Sequence, residues 1–146
     1  MERQRVIQSP VTQSTGVFAV SLEGEFDIAE RARVLDAFAQ ATTWPVIIVD
    51  FERTRYVDST VLECLVALGR AAQKRGADLV VVGLRPEIRR IFEICDLQRH
   101  FEIRATSSDV IGTLGTRETD VYRMSLVAEP SLEIGNIEAY RTEVSW

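Results

Sequence analysis

The chain has 146 residues, 46% of them apolar and 27% charged, with a formal net charge of −5. This suits one globular core, and the acidic balance argues against nucleic acid as the main partner, because phosphate binding needs a basic surface. No apolar run follows Met1-Glu2-Arg3-Gln4-Arg5, and no stretch reaches the length of a bilayer, so a cytoplasmic protein without membrane insertion is expected.

Residues 5–13 form a first strand candidate, in which Pro10 marks an edge or a bulge. Val17 to Leu22 is rich in strand formers and is ended by Gly24. After Asp27, a candidate N-cap, the period changes. Ile28, Ala32, Leu35 and Ala39 recur at helical spacing and predict a first helix with that apolar face. Val46-Ile47-Ile48-Val49 is a continuous β-branched run, as a central strand buried on both faces requires.

The spacing of Leu62, Leu65, Leu68 and Ala72 predicts a helix from about Thr60 to Arg75, closed by Gly76. Leu79 to Val82 is a second central strand. Pro86 sits where a helix begins, and Ile88, Ile91, Phe92 and Cys95 fall on one face of it. Phe101 to Ile103 reads as a short closing strand, and Ser107-Ser108-Asp109 as the start of a last helix through Leu114. Beyond Arg117 the pattern fades. Val121 to Ala128 is a further strand candidate, and Leu132 to Tyr140 fits either a helix or an extended segment. Two strands followed by alternating helices and strands predict a single α/β domain with a mixed central sheet and amphipathic helices. Residues 1–116 make up that domain, and residues 117–146 form a C-terminal extension of undefined structure.

Cys64 and Cys95 both lie in apolar helical patterns and read as small buried hydrophobes; no metal site and no cofactor is expected. His100 is the only histidine, Ser59 lacks a Gly-x-Ser-x-Gly elbow, and no Gly-rich phosphate loop is present, so the chain is not expected to be an enzyme. Thr60-Val61-Leu62-Glu63 fits a helix capping box, although Asp58 or Ser59 can cap instead. Arg53 and Arg55 flank this cluster, and Arg85, Arg89, Arg90 and Arg99 gather around the third helix, where a solvated face is the simplest role for them.

Three segments, in this order, resemble the STAS family (sulfate transporter and anti-sigma factor antagonist domains). Leu22-Glu23-Gly24-Glu25-Phe26-Asp27 is similar to the family's turn before the first helix. Val49-Asp50-Phe51 with Tyr56-Val57-Asp58-Ser59-Thr60 is similar to its central strand and the loop that opens the second helix. Gly83-Leu84-Arg85-Pro86 is similar to its junction with the third helix. The likeness spans roughly residues 5–115. It implies an anti-sigma factor antagonist that binds a kinase-type anti-sigma factor through Asp27, Asp58, Ser59, Thr60 and Val61. It further implies release on phosphorylation of Ser59, with Thr60 the lesser candidate and ATP and magnesium supplied by the partner. Val61 departs from the family, which has glycine there, and the departure predicts a stiffer loop that obstructs a kinase. The other function the resemblance implies is a constitutive adaptor, a subunit of a stressosome-like scaffold or of a lipid-transport complex, without a phospho-switch. A homodimer formed through the extension is compatible with either.

Overall fold

The computed structural model describes residues 16–114 and 120–129. Strand β1 (Val17–Phe26) leads through a 3-10 turn (Ile28–Glu30) into α1 (Arg31–Ala41). Strands β2 (Val46–Asp50) and β3 (Thr54–Val57) follow, then α2 (Ser59–Arg75), β4 (Asp78–Val82) and α3 (Pro86–Ile94). A second 3-10 turn (Leu97–Arg99), β5 (Glu102–Arg104), α4 (Ser107–Leu114) and β6 (Val121–Val127) complete the described chain.

All six strands belong to one sheet, and every described pairing is parallel. β1 lies at its centre. Residues Val17 to Ser21 pair with β2 and with β6 at once, so those two strands flank β1 on opposite edges. β3 takes up the far end of β1, with Phe26 opposite Val57. β4 lies beyond β2, and β5 beyond β4. The strand expected at residues 5–13 lies outside the described residues. The strand expected from Val121 is present, so part of the extension is built into the sheet.

Side chains alternate across the strands and build two apolar layers. Phe18, Val20, Leu22, Ile47, Val49 and Val81 face the larger layer, which α1, α2 and α3 cover. Val17, Ala19, Ile48, Val80 and Val82 face the other, where Val110 and Ile111 of α4 cover them. The continuous apolar runs of β2 and β4 are thereby explained, since both faces of these strands are buried.

The helix ends follow the sequence closely. Gly76 adopts the left-handed conformation at φ 72°, and its amide bonds the last turn of α2. Pro86 occupies the first turn of α3. The face of α1, by contrast, differs from the expected one. Val34, Ala37, Phe38 and Ala41 are buried, whereas Ile28 is 70% exposed and Leu35 also faces solvent. The 3-10 turn shifts the phase of the helix, and burying Phe38 and Val34 removes more apolar surface from water than burying Ala32 and Ala39 would.

Thr54, fully buried at the start of β3, donates its hydroxyl hydrogen to the Leu22 carbonyl at 2.6 Å. Gly24, at the irregularity between β1 and β3, has φ 112°, and a Cβ there would lie 3.1 Å from the Cβ of Ala128. Glycine meets both demands at this position. Glu30, the one buried acid among the described residues, accepts from Arg33 at 2.7 Å and from the Glu129 amide at 2.8 Å. The chain that leaves β6 is thus fastened to the start of α1.

Candidate functional site

Two strand ends create the site. Because Phe26 and Val57 pair in parallel, the residues after them emerge side by side, and the Asp58 amide donates to the Phe26 carbonyl at 3.1 Å. Asp27 and Asp58 therefore stand together at the carboxyl ends of β1 and β3. Each caps a helix. Asp27 Oδ1 accepts from the Ala29 amide at 2.9 Å, and Asp58 Oδ1 from the Val61 amide at 3.2 Å. Such caps satisfy amides that the first helical turn would leave unbonded.

The cap at Asp58 decides where the next side chains point. α2 begins at Ser59, one residue earlier than the Thr60 capping box would place it, and Asp58 holds the cap. Ser59 is exposed, Thr60 half-buried and Val61 0% exposed, within the larger core layer. The Ser59 hydroxyl makes no hydrogen bond within the described residues. Val61, expected at the partner surface, offers none in this conformation; its side chain is a core residue. Ser59, Thr60, Asp58 and Asp27 lie together at the carboxyl ends of β1 and β3.

Around them lies surface of mixed character. Ile28 after Asp27 and Tyr56 before Val57 are both exposed. From Ser59 a groove of about 370 Å³ runs along α2, lined by Leu62, Glu63, Val66, Arg70 and Cys95. Arg70 was not singled out from the sequence. Ser59, Glu63, Val66 and Arg70 nevertheless recur at helical spacing and share one stripe of α2. A larger groove of about 660 Å³ continues past Gln73 to His100 and Phe101.

This arrangement keeps Ser59 and His100 apart. His100 lines only the far groove, next to Phe101, whose ring sits against Gly69. Gly69 is about 15 Å along the helix from Ser59 at 1.5 Å per residue. Among the described residues no three metal-ligating side chains converge. The flanking arginines are peripheral. Arg53 approaches Glu23 at 3.6 Å, Arg99 approaches Asp96 at 3.5 Å, and Arg55, Arg85, Arg89 and Arg90 face solvent. Such surface pairs contribute little.

Among the described residues, two groups have shifted pKa values. Burial pushes the Cys64 thiol up, against a lowering effect from nearby Arg31. Burial likewise raises Asp50 at the end of β2, partly offset by the Glu52 amide, which its Oδ1 accepts at 2.8 Å. Cys95, expected to be buried, is exposed: α3 ends at Ile94, and Cys95 is the residue that caps it.

Residues 8–110 match the family model described as STAS domain. The chain belongs to the STAS family. An anti-sigma-B factor antagonist of Listeria monocytogenes is 28% identical over 95 residues, covering 64% of this chain and 83% of the relative. The solved structure of the anti-sigma factor antagonist SpoIIAA in its unphosphorylated form is similar with a TM-score of 0.56 at 20% identity, over 72% of this chain and 93% of that one. A sulfate transporter family protein from Wolinella succinogenes is similar with a TM-score of 0.54 at 18% identity, over 71% and 88%. The same fold thus occurs in an anti-sigma factor antagonist and in a sulfate transporter family protein. No described helix of this STAS protein is long and apolar enough to cross a membrane.

Proposed function

We propose that this STAS protein is a cytoplasmic anti-sigma factor antagonist whose Asp58-Ser59-Thr60 loop and adjoining α2 groove bind a kinase-type anti-sigma factor. Phosphorylation of Ser59 by that partner, with its own ATP and magnesium, breaks the complex. The observation that carries this reading is the exposed, unbonded Ser59 hydroxyl on the first residue of α2, beside a cap already provided by Asp58. Modification therefore costs the helix no native bond.

The charge explains the release. A phosphate adds about 1.5 to 2 negative charges at neutral pH. The N-terminus of α2 favours an anion, whereas the carboxylates of Asp58 and Asp27 oppose it. In solution water screens the repulsion; against a partner it does not. A loss of about 1.4 kcal/mol weakens binding tenfold, so a change of fold is unnecessary. Buried Val61 stays out of the partner's path, and half-buried Thr60 is the second candidate for modification.

Affinity capture from native-cell lysate with wild type, Ser59→Ala and Ser59→Asp as baits tests the proposal. A kinase-type regulator is expected on the first two baits and not on the third. Incubating its complex with wild type, ATP and magnesium should place one phosphate on Ser59. The same partners on all three baits, without phosphate transfer, would instead establish a constitutive adaptor of a scaffold or transport complex.

A further inference from the structure

We infer that the groove between the second half of α2 and the turn after α3 is a binding site for a small amphipathic anion. The ligand would be an apolar body with one carboxylate or phosphate head, the head held by Arg70 and Arg99. The groove measures about 660 Å³, a size common among small-molecule sites. Val66, Leu97 and Phe101 give it an apolar wall, and Arg70, Arg99 and His100 supply donors. No described acidic side chain lines it, although the chain as a whole carries a net charge of −5. The charge balance of the groove therefore selects an anion.

Local structure explains why the groove exists. Gly69 lies inside α2, where glycine is a poor helix former. A Cβ there would meet the Phe101 ring at 2.9 Å, so the glycine lets that ring lie against bare helix backbone. Phe92 of the core supports Phe101 from behind, with ring centroids 6.4 Å apart. Asp96 is the one described non-glycine residue with a positive φ, 60°, a conformation that aspartate tolerates. It turns the chain after α3, so that Cys95 before it and Leu97 after it line the same groove.

The donors are available to a ligand. The Arg70 guanidinium has no hydrogen bond or ion pair among the described residues. Arg99 meets Asp96 at 3.5 Å in an exposed pair, which is weak enough for a ligand to displace. The planar fork of a guanidinium matches a carboxylate or a phosphate, and its bonds to them are charge-assisted. An arginine beside an apolar wall thus separates an anionic amphiphile from a neutral one. Arg70 also lines the groove that starts at Ser59, but the inference needs neither a partner protein nor phosphorylation.

Amide NMR of the full-length protein tests it, with octanoate, octyl phosphate, octanol and inorganic phosphate as probes. Octanoate, octyl phosphate or both should saturably shift the amides of Gly69, Arg70, Leu97 and Phe101. Octanol and inorganic phosphate should need concentrations at least roughly tenfold higher. The stronger of the two octyl anions identifies the head. Arg70→Gln, at an exposed position, should weaken anion binding roughly tenfold and leave octanol unchanged. Gln73→Trp, also at an exposed position, should block the groove to every probe, while resonances elsewhere report that both variants are folded. No saturable shift with either octyl anion would overturn the inference. So would octanol binding as well as the anions, or anion binding that survives Arg70→Gln undiminished, because the groove would then be merely apolar.

Discussion

The Val61 amide donates to Asp58 Oδ1 across 3.2 Å, and this bond fixes the first turn of α2 with Ser59 outward and Val61 in the core. Restoring the family's glycine should therefore weaken the fold without opening the loop to a kinase. Val61→Gly loses only a few tenths of a kcal/mol of helix preference, since valine is itself a poor helix former, and about 1.5–3 kcal/mol of side-chain burial. Urea unfolding should show a loss of about 2–3 kcal/mol. The rate at which folded protein accepts phosphate on Ser59 should stay unchanged. A much faster rate in the variant would show that valine does obstruct the site.

The caps and central strands were legible because their causes are local. Continuous apolar runs marked β2 and β4, Gly76 and Pro86 marked helix ends, and Asp27 stood where a cap belongs, whereas the Thr60 capping box competed with Asp58 for the start of α2. What escaped depends on distant contacts. β3 is only Thr54–Val57, with Arg55 and Tyr56 facing solvent, and it is defined by the far end of β1 and by the Thr54–Leu22 bond. Glu30 reads as an ordinary first-turn acid; its burial rests on an amide 99 residues away. The apolar face of α1 is ambiguous in the sequence because two stripes compete there, and the 3-10 turn and Phe38 decide between them. Arg70 has the spacing to share a stripe of α2 with Ser59, but only the fold forms the groove that both of them line.

Glu30 should matter more than its position suggests. Glu30→Ala removes the acceptor of the Glu129 amide and the partner of Arg33, and a donor left unsatisfied costs about 1–3 kcal/mol. A value at the low end is expected, since that amide is only part-buried. Glu30→Gln keeps an acceptor and should lose less. Urea midpoints rank the variants, and exchange at the Glu129 amide locates the effect. Identical midpoints for wild type and both variants would show that the clamp adds nothing to stability.

The two cysteines should part company in a labelling experiment. Cys64 is buried and its thiol is held protonated by that burial, whereas Cys95 is exposed at the end of α3. Since the thiolate is the reactive form, iodoacetamide should label Cys95 quickly and Cys64 only on unfolding. The α2 groove adds a second readout, because Cys95 lines it beside Ser59. A partner seated there should slow labelling of Cys95. Fast labelling of Cys64 in the native protein would contradict its place in the core.

Asp50 gives a pH signature of the sheet's carboxyl end. Burial lifts its pKa above the ordinary 3.8, against the lowering effect of the Glu52 amide; the Glu52 charge raises it further, while Arg53 and Arg123 oppose. Between 3.8 and the raised value the folded protein keeps a proton that the unfolded chain releases. By linkage, the stabilising contribution is complete below 3.8 and disappears as pH climbs through the folded value. Asp50→Asn cannot titrate, yet its carbonyl oxygen can still accept from the Glu52 amide. Urea unfolding of both proteins from acid to neutral pH should show wild type losing stability relative to the variant as pH rises. Other carboxylates titrate alike in both proteins and cancel in the difference. Parallel stability curves would mean that Asp50 is as well solvated in the fold as in the unfolded chain.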